Sequence, residues 1–167
     1  VNSTVPTVTA LNGAAAGAGA NLALAADIVI AKSSAYFVQA FSRIGLIPDV
    51  GGTYFLPRAM GLAKSIGSSI FADKIMAAEA HEIGLIYEYV EDDNYDIHLK
   101  SRVEYLANGP TVAFAGIKTA MRKSLNNSLD EQLELEAKLQ KKCGNTRDFQ
   151  EGVLAFHEKR EAKFEGR

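Results

Sequence analysis

Eight consecutive residues, Gly13 to Ala20, carry no side chain larger than a methyl group. Residues this small either let two elements pack backbone to backbone or leave backbone N–H groups open to a ligand. Leu22, Ala23, Leu24 and Ala25 follow with helix-forming character, which puts the N–H groups around Ala18 and Gly19 at or near a helix N-terminus. The first donors of a helix have no partner within it and carry partial positive charge, so they suit a developing oxyanion. Asn12, Asn21 and Asp27 interrupt the run, and Ala and Gly are only weakly hydrophobic, so no membrane span is expected.

Two short β-type runs come next, Asp27 to Ala31 and Ala35 to Val38, separated by Lys32-Ser33-Ser34. Pro48 then stops any regular element, Asp49 follows directly, and Gly51-Gly52-Thr53 open a helical segment. A carboxylate is thereby delivered at a loop-to-helix junction with little bulk around it. On the residues alone, the commoner role for such an aspartate is to cap the helix beginning near Gly51.

The stretch from Asn12 to Ile28, followed by Ile44-Gly45-Leu46-Ile47-Pro48-Asp49-Val50-Gly51-Gly52-Thr53, resembles the enoyl-CoA hydratase/isomerase (crotonase) family, and the similarity continues to the C-terminus. Two motifs at the family's spacing are more specific than an isolated glycine-rich loop. The resemblance implies an α/β fold, a crotonase (ClpP/crotonase-like) spiral of ββα turns followed by a helical trimerisation region. It implies further that this chain holds the C-terminal part of that spiral only, with one oxyanion donor lying upstream of the first motif. The other donor would be the N–H of Ala18, with Gly17 and Gly19 beside it at the thioester.

Hydratases of the family commonly place glutamates where this chain has Asn21 and Phe41. Neither residue is an acid or base at neutral pH. Asn21 is therefore expected beside the substrate as a structural hydrogen-bonding residue, and Phe41 as a wall of the acyl pocket or a plain core phenylalanine, with Phe37, Tyr54 and Phe55 as further aromatic candidates. The carboxylate remaining in the pattern is Asp49, and the combination of Asn21, Val38-Gln39-Ala40-Phe41 and Pro48-Asp49 is similar to the PaaG-type isomerases of phenylacetate catabolism. Moving a double bond needs a proton taken from one carbon and returned at another, which a single carboxylate can do. The resemblance thus implies an enoyl-CoA isomerase with Asp49 as the proton shuttle. An enoyl-CoA hydratase (a lyase) and a non-catalytic CoA-binding or oligomerisation fragment remain as alternatives.

The 47% apolar and 23% charged residues are those of an ordinary soluble globular protein, and a net charge of −2 gives no reason to expect a nucleic-acid partner. Cys143 is the only cysteine, so neither an intrachain disulfide nor a cysteine-based metal site can form. His81, His98 and His157 are far apart in sequence and read as surface or interface residues, so no metal is expected. No redox or metal cofactor is implied either, coenzyme A being part of the acyl-CoA thioester substrate. A cytoplasmic location is the default expectation.

Along the rest of the chain, Val1 to Ala10 suits an entering strand, and 53–71 reads as one or two helices separated at Gly61. Ala77 to Gly84 reads as helical and Leu85 to Val90 as β-like; Glu91-Asp92-Asp93 then marks a boundary. Residues 1–93 are expected as the spiral core with the active-site loops, and 94–167 as a helical oligomerisation region. Helices are expected over 95–106, 112–124, after a Ser128-to-Glu131 capping box, and from about Thr146 to Glu161. By resemblance this region makes a homotrimer, or a hexamer of two trimers, and Lys159 of its closing motif reaches CoA phosphates.

Overall fold

The computed structural model describes residues 3–167. Val1 and Asn2, where the expected entering strand begins, lie outside the described residues. The chain divides into two compact units, one holding Thr7–Lys100 and the other 3–6 with Ser101–Arg167.

In the first unit, β1 (Val8–Leu11), β3 (Ile28–Lys32) and β6 (Glu88–Val90) form one parallel sheet in that order. The entering strand starts only at Val8, since the Thr7 N–H before it donates to the Asp27 carboxylate at 2.8 Å and not to a ladder carbonyl. A second sheet runs β2 (Ala14–Ala16), β4 (Tyr36–Val38), β5 (Ile75–Met76), parallel between the first two and antiparallel between the last. Strand β2 lies inside the small-residue run, where strand propensity gives no sign of it. Its pairing with β4, Ala15 opposite Phe37, decides the conformation instead.

Helix α1 (Ala18–Leu24) follows β2 directly, and α2 (Gly52–Met60) and α3 (Leu62–Phe71) are separated at Gly61, which has φ 77°. Helix α4 (Ala77–Glu82) leads toward β6, and α5 (Tyr95–Ala107) crosses the division between units. Phe37, Leu56, Ile75 and Leu85 are buried in one continuous core. Tyr95, also sealed from solvent, donates its hydroxyl to the Ile30 carbonyl of β3 at 3.0 Å, and burial pushes the phenol up to about 12.

The second unit is helical: α6 (Thr111–Ser124), α7 (Leu129–Gly144) and α8 (Arg147–Glu158). The capping box forms as the sequence indicates, Ser128 accepting from the Glu131 N–H while the Glu131 carboxylate accepts from the Ser128 N–H. Thr146 caps α8 by accepting from the Phe149 N–H. The buried carboxylate of Asp148 accepts N–H groups of Glu165 and Gly166, which ties the C-terminal segment to the first turn of α8. Between α6, α7 and α8 lies a cavity of 710 Å³ whose walls include Ile117, Met121, Leu139 and Phe149. Among the described residues no helix is long and apolar enough to cross a membrane.

Candidate active site

Helix α1 begins inside the small-residue run, at Ala18. Gly17, its N-cap, has φ 51° and ψ −125°, a conformation that strongly favours glycine, and its N–H is taken by the Val38 carbonyl at 2.9 Å. Ala18 is the first helical residue, so its N–H is among the donors that the helix itself cannot satisfy. Ala18 and Gly19 are both exposed. The Phe41 ring, from a 3₁₀ turn spanning Ala40–Ile44, lies against Gly17, 3.6 Å from where a Cβ would stand. Phe41 is itself buried, so it closes the back of this corner and brings no acid to it.

Asp49 is exposed, with Val50, Gly51 and Gly52 following in a tight turn. Its carbonyl accepts the Gly52 N–H at 2.8 Å, while Val50 has φ 49° and Gly51 φ 80°. Positive φ at both central residues is the pattern of a type I′ turn. Glycine adopts it freely, but a β-branched valine there is strained, by about 1–3 kcal/mol. The N-cap of α2 is Gly51 and receives no side-chain hydrogen bond, so the capping role for the Asp49 side chain is not the one the fold uses.

Asn21 is fully buried at 0% exposure and joins the two motifs. Its Nδ2 donates to the Asp49 carbonyl at 2.9 Å, and its Oδ1 accepts from Gln39 Nε2 at 2.8 Å. A Cβ on Gly52 would collide with this carboxamide, which explains the second glycine of the pair by space. Gln39, 3% exposed, leaves its Oε1 without a hydrogen-bond partner among the described residues.

An apolar cavity of 460 Å³ adjoins the motif that carries Asp49, lined by Leu46, Ile47, Pro48, Leu62, Ile66 and Ile70 among others. Phe37, Phe41, Tyr54 and Phe55 are not among its lining residues. Phe37 is in the core, Phe41 covers Gly17, Tyr54 carries the Arg58 guanidinium 3.7 Å from its ring centre, and Phe55 lies against Gly51. Their spacing alone could not separate a core ring from a pocket ring.

Of the residues singled out from the sequence, Gly17, Asn21, Phe41 and Asp49 are linked by these contacts, with Ala18 and Gly19 in the first turn of α1. Lys159 belongs to the other unit, where it ends α8 with φ 54°. Sequence reasoning missed the parts played by Gln39, Val50 and Gly52. Val50 between an aspartate and a glycine pair was the available signal for a strained turn. Among the described residues no group of three or more His, Cys, Asp or Glu side chains could hold a metal ion.

A family model for enoyl-CoA hydratase/isomerase matches residues 1–167. The chain belongs to the enoyl-CoA hydratase/isomerase family. It is 55% identical over 163 residues to a protein of Rhodobacter capsulatus named probable enoyl-CoA hydratase, covering 98% of this chain and 63% of the relative. It is 45% identical to the 1,2-epoxyphenylacetyl-CoA isomerase of Escherichia coli, covering 97% of this chain and 62% of that protein. The crystal structure of an enoyl-CoA hydratase from Bacillus anthracis superposes with a TM-score of 0.93 at 30% identity, over 99% of this chain and 64% of that one. The chain thus spans a little under two thirds of the length of the relatives it matches.

Proposed function

We propose that the protein acts on an enoyl-CoA thioester and shifts its double bond, with Asp49 carrying the proton from one carbon to the other. The Ala18 N–H stabilises the enolate oxygen that forms between the two transfers, because a helix N-terminus offers a donor already oriented. The observation that carries this reading is the commitment of Asn21. Its carboxamide is buried and bonded at both ends, and Phe41 has no acid, so Asp49 is the exposed carboxylate that the paired motifs present. A single carboxylate suffices for proton transfer between carbons, whereas hydration in this family uses an acid pair to hold and activate water. Coenzyme A enters as part of the substrate, and no separate cofactor is invoked.

Hydration is the second reading, favoured by the name of the Rhodobacter capsulatus relative. A non-catalytic CoA-binding role is the third. The exposed apolar side chains of the helical unit, Phe156 and Met121 among them, fit a self-association surface, so we read the working protein as a homotrimer or hexamer in a cytoplasmic setting. Incubating the natural protein with trans-3-hexenoyl-CoA and weighing the product separates the three. A conjugated product of unchanged mass supports isomerisation, a product heavier by one water supports hydration, and binding without turnover supports the third. Asp49→Asn should then lower kcat by about 10²–10⁴-fold; a parental rate in that variant would remove Asp49 from the mechanism.

A further inference from the structure

The Asp49 carbonyl accepts two hydrogen bonds, from the Gly52 N–H at 2.8 Å and from Asn21 Nδ2 at 2.9 Å. A carbonyl can only accept, so the carboxamide of Asn21 must face it with nitrogen and turn its oxygen toward Gln39. Gln39 must in turn face that oxygen with Nε2, as it does at 2.8 Å. The orientation of both amides is therefore dictated from the turn. That turn holds Val50 at φ 49°, a conformation a β-branched residue does not adopt unless its surroundings impose it.

Two further features point the same way. The space a Cβ on Gly52 would take is filled by the Asn21 carboxamide, so the amide packs directly against the backbone of the turn. Gln39 Oε1 is buried without a partner among the described residues, a cost that an apolar side chain of similar size would avoid. Packing alone gives no reason for a pair of amides here, which points to a role in holding the turn.

We propose that Asn21 and Gln39 are positioning residues: a relay of two carboxamides that clamps the strained Asp49–Gly52 turn and thereby aims the Asp49 carboxylate. The proposal rests on the reading of Asp49 as the proton carrier. It also gives a reason for the residue type at position 21, which must donate to a carbonyl on one side and accept from an amide on the other. A carboxylate can only accept; at position 21 it would set negative charge against the Asp49 carbonyl and release the turn.

The test uses the natural protein with trans-3-hexenoyl-CoA, reading kcat and KM separately. Asn21→Leu removes the clamp and should lower kcat by about 10²-fold while KM stays near the parent value, the size expected for a reacting group displaced by about 1 Å. Gln39→Glu keeps the size of the side chain. Its ionised form cannot donate to Asn21 Oδ1 but its protonated form can, so the ratio of variant to parent kcat should rise as the pH falls. A parental kcat in Asn21→Leu, a loss carried by KM, or a ratio flat with pH would overturn the relay. If Asn21→Leu does not fold, Gln39→Glu decides alone. Amide hydrogen exchange separates this outcome from a failure of the Asp49 reading. The Gly52 N–H should exchange faster in Gln39→Glu at neutral pH than in the parent, whatever the role of Asp49, and an unchanged rate would overturn the clamp.

Discussion

In the unit spanning Thr7–Lys100, Phe37 is 1% exposed and sits with Leu56 and Ile75 in a continuous core; in the helical unit, Phe156 is 81% exposed and Met121 and Leu129 also face outward. The first unit is the richer in large apolar side chains and gathers many of them into that core, although Ile47, Leu62 and Phe71 are exposed there too. A core of this kind holds a site in place because every displacement opens a void. In the helical unit local devices fix the helix starts and the C-terminal segment: a capping box on α7, a threonine cap on α8 and an Asp148 clasp. The apolar faces of that unit remain available to another surface. The comparison teaches where tolerance to mutation should lie.

The largest expected contrast is between two phenylalanines. Phe37→Ala should destabilise the protein by about 3–5 kcal/mol in denaturant unfolding, since it empties a sealed site. Phe156→Ala should change it by less than about 0.5 kcal/mol where the chain is monomeric. A penalty for Phe156→Ala that grows with protein concentration would sharpen the comparison by showing that a second copy covers the face; equal penalties at every concentration would break it.

A smaller effect is expected from Ser128→Ala. It removes the side-chain half of the capping box and should cost about 1 kcal/mol, read as faster hydrogen exchange in the first turn of α7. No change would mean that packing rather than capping sets that helix start.

Smallest is a pH effect. The Arg160 guanidinium bonded to Glu151, with the Lys163 N–H, holds that carboxyl down at about 2. A folded-state value below the unfolded one, near 4.3, means that the stabilisation is present above that range and is lost as the pH falls toward about 2. Because the pair is at the surface, the slope should be shallow and weaker still in high salt. Glu151→Gln should flatten the acid limb of a Tm-against-pH curve; an unaltered limb would assign it to other carboxylates.

Much of the helical architecture was legible because caps and glycine stops are local. The break at Gly61 and the Ser128 box each follow from a few adjacent residues, whereas the last helix stops at Glu158, three residues short of the expected Glu161, where Lys159 turns to φ 54°. Strands β2 and β5 were not legible, since three alanines and an Ile-Met pair become strands only beside β4. The site divides in the same way. Asp49 and Ala18 stood out through residue type and the family's spacing, but where the aromatics point was not legible: Phe37 went to the core, Phe41 to Gly17, and Tyr54 and Phe55 to each other in an edge-on pair.

By itself the sequence determined the small-residue approach to α1, the delivery of a carboxylate after Pro48, most of the helix starts and the family. Local geometry and residue chemistry need no partner to be expressed. Only the tertiary structure decided that Asn21 is bonded at both ends, that Gln39 stands behind it and that Val50 is held at positive φ. Those facts depend on the distance between motifs 28 residues apart in the chain, and chain separation carries no information about direction until the core has set it.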